Sequence, residues 1–127
     1  MNNEDDVKNL EKLIVQLQGL HSEISLLAKK SPNDGLNTFK LKLVNKVLAQ
    51  GNEILKGHYK PFEDFNEFEE DALPTNSDVT MILALYVEQA DRFRSNNMVY
   101  ADYKWVYVIN GKAGKTEGKP PTIIGTK

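Results

Sequence analysis

Apolar residues recur at helical spacing between residues 36 and 55. They fall at steps of three, four and seven and form one broad face: Leu36, Phe39, Leu43, Val47 and Ile54. This spacing aligns side chains on one side of an α-helix. A preceding Ser-Pro-Asn-Asp-Gly segment and a following Lys-Gly pair supply start and stop signals. The sequence therefore predicts a long amphipathic helix here, in which Gly51 is interpreted as tolerated, with close approach of another helix as the alternative.

A second helical pattern lies before it, over residues 7–28. Its apolar positions alternate steps of three and four: Leu10, Leu13, Leu17, Leu20, Ile24 and Leu27. A parallel row through Val7, Ile14 and His21 widens the face, so we expect more than one packing neighbour. Residues 1–6 are polar and predicted to fray. The intervening segment predicts a loop joining antiparallel helices; alternatively, Ser31 caps the next helix and the chain bends sharply.

Residues 58–74 contain phenylalanines and a run of acidic residues, but no glycine. Phe62, Phe65 and Phe68 step by three, with acidic residues crowded between and after them. Pro61 and Pro74 bound a predicted short helix with an apolar underside and a solvated acidic face. A docking surface for a basic partner, or a mimic of nucleic-acid charge, is the functional alternative.

The last part of the chain changes from helical to strand periodicity. Thr75 and Asp78 form a capping-box variant that starts a helix, which the polar run at residues 95–97 ends. From Met98 the period becomes two, with Tyr103, Trp105, Tyr107 and Ile109 on one face of a strand. Asn110-Gly111 predicts a hairpin turn, and residues 122–124 are the preferred partner strand, with a loop over residues 112–119.

These patterns predict a mostly α fold with a minor β part. Three to four amphipathic helices form a small bundle, followed by a C-terminal β-hairpin or ribbon. We expect one domain over residues 1–127, with residues 7–97 helical and residues 98–127 forming the ribbon and tail. The broad face of residues 7–28 and the ribbon both need cover, so we also expect a homodimer.

Composition narrows the class of protein. The chain has 127 residues, a net charge of −2 and no cysteine, which excludes a disulfide scaffold and cysteine-ligated metal. No apolar run approaches the length of a membrane span, and the acidic N-terminus lacks the basic start of a secretory signal. We therefore expect a soluble cytoplasmic protein that does not bind membranes.

The chain carries no complete catalytic or cofactor motif. Gly111–Thr116 ends in Gly-Lys-Thr and partly resembles a P-loop, but Ile109 stands where that motif needs a glycine and no helix-forming segment follows. The two histidines have no metal-ligand spacing, and the acidic segment lacks the Asp/Asn alternation of an EF-hand loop. We expect no enzyme activity, cofactor or metal.

The first hypothesis is a non-enzymatic protein-interaction module, such as an adaptor, inhibitor, immunity or regulatory factor. Its expected binding residues lie in the acidic-aromatic segment: Phe62, Phe65, Glu67, Phe68, Glu69, Glu70 and Asp71. The alternative is a nucleotide or nucleic-acid binder, in which aromatic residues stack on bases and lysines contact phosphates. Its expected residues are Lys104, Trp105, Tyr107, Lys112 and Lys115. The acidic net charge favours the first hypothesis.

Overall fold

The computed structural model describes residues 1–122, which form three α-helices followed by an antiparallel three-stranded sheet. Helix α1 spans Glu4–Lys30, α2 spans Thr38–Ile54 and α3 spans Asn76–Ser95. The strands are β1 (Met98–Ala101), β2 (Lys104–Ile109) and β3 (Lys112–Glu117), in the spatial order β1-β2-β3. The prediction of a mostly α fold with a minor β part is confirmed.

Polar side chains cap the start of each α-helix. The side chain of Asn3 accepts a hydrogen bond from the Asp6 amide, so α1 already includes part of the segment predicted to fray. Asn37 caps α2 in the same way, and Thr75 caps α3 as predicted. Ser31 ends α1 and does not start α2. The chain therefore forms a helical hairpin with a loop at residues 31–37.

The main core lies where the three helices meet. Its fully buried side chains come from all three: Leu13, Leu17, Ile24, Val44, Leu48, Leu83 and Tyr86. Gly51 is buried among them, and a Cβ at this position would lie 3.4 Å from Tyr86 Cδ2 and 3.6 Å from Leu13 Cδ1. Both are ordinary van der Waals distances to side-chain atoms, so the position has room for a Cβ, in agreement with the interpretation of Gly51 as a tolerated residue.

The sheet covers the N-terminal half of α1. Met98 of β1 and Tyr107 of β2 are buried against Val7 and Leu10, forming a second, smaller core. Asn110 and Gly111 form the predicted turn, both with positive φ. The strand that follows is Lys112–Glu117, although those residues were predicted to be a loop. The hairpin turn places this Lys/Gly-rich segment beside β2 despite its low strand propensity.

Three other expectations for the chain's irregular parts need correction. The short helix between Pro61 and Pro74 is absent except for a three-residue 3₁₀ turn at Glu70–Ala72. The predicted single strand after Met98 is broken by a turn at Asp102 and Tyr103, so the hairpin becomes a three-stranded sheet. In the predicted partner strand, Thr122 is outside β-structure, and residues 123–124 lie outside the described residues.

Candidate functional site

The segment between α2 and α3 lies along one flank of α2 in a largely irregular conformation. We call residues 61–74 the acidic strap. Its backbone is held by two asparagine side chains, Asn45 and Asn52, which are seven residues apart and therefore lie on the same flank of α2. The sequence shows this seven-residue spacing beside the apolar face of α2, but the two asparagines were not predicted to bind another segment of the chain.

Both asparagines bond directly to strap backbone. The Asn45 amide donates to the Phe68 carbonyl at 2.9 Å and accepts from the Phe68 N–H at 2.9 Å. The Asn52 amide donates to the Asn66 carbonyl at 2.8 Å. Asn52 is oriented in turn by the hydroxyl of Tyr86 in α3, which donates to its Oδ1 at 2.6 Å. These bonds satisfy strap backbone groups in place of helical hydrogen bonds, which explains why the predicted helix does not form.

The aromatic side chains of the strap divide into inner and outer positions. Phe65 and Phe68 are half-buried against the main core, and their rings meet edge to face with centroids 5.2 Å apart. Phe62 is 44% exposed. Two of the three phenylalanines predicted to contact a partner therefore anchor the strap to its own protein.

The acidic side chains of the strap all face solvent: Glu63, Asp64, Glu67, Glu69, Glu70 and Asp71. The salt bridges formed within residues 1–122 join Lys40 to Glu23, Arg92 to Glu88 and Arg94 to Asp91, so none includes a strap carboxylate. A shallow depression of about 240 Å³ lies between Glu67–Glu70 and the α2 residues Lys42 and Asn45. The strap thus presents negative charge on a backbone fixed at two points.

The structure does not bring the alternative ligand-binding residues to one surface. Tyr107 is buried and its hydroxyl donates to Glu11 Oε2 at 3.2 Å, while Trp105 is half-buried. Burial raises the pKa of Tyr107, and the charge of Glu11 acts in the same direction. Lys104 begins β2, whereas Lys112 pairs with Ile109 at its far end, about 17 Å away along the strand. Lys115 is exposed on β3.

A different aromatic cluster lies at the tip of the β1–β2 hairpin. Tyr100 and Trp105 pair across the strands with ring centroids 5.5 Å apart, and Tyr103 projects from the turn with 95% of its surface exposed. Asp102 and Tyr103 have φ values of 51° and 65°. The turn between β2 and β3 places Asn110 and Gly111 in the same positive-φ conformation. Asparagine and glycine are residue types that favour this conformation. Tyr103 therefore occupies a position that glycine fits better.

Replacing Tyr103 with glycine is expected to raise the free energy of unfolding by about 0.5–1 kcal/mol. The left-handed conformation costs a side-chain-bearing residue about 1–2 kcal/mol, and the chain entropy of glycine offsets part of this gain. Urea denaturation measures the change. Tyr103→Ala is the control, because it removes the exposed ring but keeps Cβ. Equal stabilisation by both substitutions would contradict a backbone origin.

Comparisons with known proteins add no family assignment to this geometry. A scan against protein-family models, a search of curated proteins and a search of solved structures each found no match. Within residues 1–122, His, Asp and Glu side chains form no group that could hold a metal ion. None of the helices in that range has the length and apolar character required to cross a bilayer.

Proposed function

We propose that this protein is a non-enzymatic interaction module that binds a partner protein with a basic surface through the acidic strap. The observation that carries the proposal is the row of solvent-facing carboxylates without salt bridges to other described residues. Opposite charge on a partner would speed association and select against acidic surfaces.

The strap is already held in place in the unbound protein, which supports this proposal. An irregular segment that becomes ordered on association loses conformational entropy, which reduces affinity. Here Asn45 and Asn52 bond the strap backbone, and Phe65 and Phe68 anchor it to the core. The strap therefore has the features of a preorganised binding surface.

The strap residues have different roles in this proposal. Glu67, Glu69, Glu70 and Asp71 provide charge, and the exposed Phe62 provides apolar contact area for the partner. Phe65 and Phe68 act indirectly by holding the backbone, because their rings pack against the protein's own core. Substitutions at these two positions should lower stability as well as binding.

Charge reversal of Glu67, Glu69 and Glu70 to lysine tests the proposal. Lysate from the native cell is passed over the immobilised wild-type protein and the triple variant, and bound proteins are quantified by mass spectrometry. We expect basic proteins retained specifically by the wild type to be lost from the variant, with its melting temperature unchanged because the three side chains are exposed.

The matched control reverses Glu53, Glu88 and Glu117, which are also exposed and change the net charge equally. It removes the half-exposed Glu88–Arg92 pair, a change expected to have little effect on stability. The control variant should retain the partner. If both variants lose the partner equally, the net charge of the protein, and not the position of the strap carboxylates, accounts for binding. If the strap variant retains the partner, the strap is excluded as the binding surface.

A further inference from the structure

We draw no further inference here: the strongest candidate, the partly exposed aromatic cluster of Tyr100, Tyr103 and Trp105 at the tip of the β1–β2 hairpin, is an unpartnered apolar surface, and nothing in the structure of residues 1–122 shows what covers it.

Discussion

Replacing Arg94 with glutamine is expected to lower the free energy of unfolding by about 2–3 kcal/mol. Arg94 is 7% exposed, and its Nε lies 3.5 Å from Asp91 Oδ1. Breaking a buried ion pair on one side leaves its partner charge unsatisfied, which costs about 3–5 kcal/mol. The expected loss is at or just below the lower end of that range, because Asp91 retains 29% side-chain exposure and solvent can partly satisfy its charge.

The same guanidinium holds the segment after β3 against the helices. Its Nη1 donates to the Lys119 carbonyl at 2.8 Å and its Nη2 to the Pro120 carbonyl at 3.1 Å. Gly118 packs so closely that a Cβ there would lie 2.8 Å from Tyr107 Cε2. We therefore expect Arg94→Gln also to increase hydrogen exchange at Gly118, whose amide bonds to the Trp105 carbonyl.

Arg92→Gln is the matched control for this prediction. Arg92 lies on the same helix and pairs with Glu88 at 3.0 Å, but both side chains are partly exposed. A surface pair of this kind contributes about 0.3–0.5 kcal/mol. Urea denaturation of Arg94→Gln and Arg92→Gln measures how much each substitution lowers the free energy of unfolding. Equal losses of stability would show that Arg94 contributes no more than an ordinary surface arginine.

Replacing Asn45 with alanine is expected to lower the free energy of unfolding by about 1–2 kcal/mol. The substitution removes two 2.9 Å hydrogen bonds and leaves the Phe68 N–H and carbonyl without their partner. Partly buried backbone groups left in this way cost about 1–3 kcal/mol, and the better helix propensity of alanine recovers about 0.5 kcal/mol. Chemical denaturation measures the net change.

Hydrogen exchange distinguishes local release of the strap from global destabilisation. In Asn45→Ala, the Phe68 amide should lose protection, whereas the Val108 amide, which bonds to the Asn97 carbonyl in the sheet, should keep most of its protection. Glu53→Ala, at an exposed position of α2, controls for helix propensity. Unchanged exchange at Phe68 would mean that Asn45 does not hold the strap. Release of the strap should also weaken partner binding, because ordering would then occur on association.

The sequence by itself determined the elements whose signals are local. The steps of three and four in α1 and α2 define helices because neighbouring turns place those side chains together. The Thr75 cap and the Asn110-Gly111 turn are equally local, since their hydrogen bonds or backbone angles involve residues within one turn. The mostly α fold with a minor β part follows from these patterns.

Only the tertiary structure decided the path of the acidic strap and the positions of its side chains. The strap takes its shape from Asn45, 23 residues from its bonding partner Phe68, and the same contacts turn Phe65 and Phe68 inward. Likewise Tyr107 is buried by α1, which lies at the opposite end of the chain. Such contacts depend on which distant segments pack together, and this choice reflects the free energy of the whole fold, which no local period encodes.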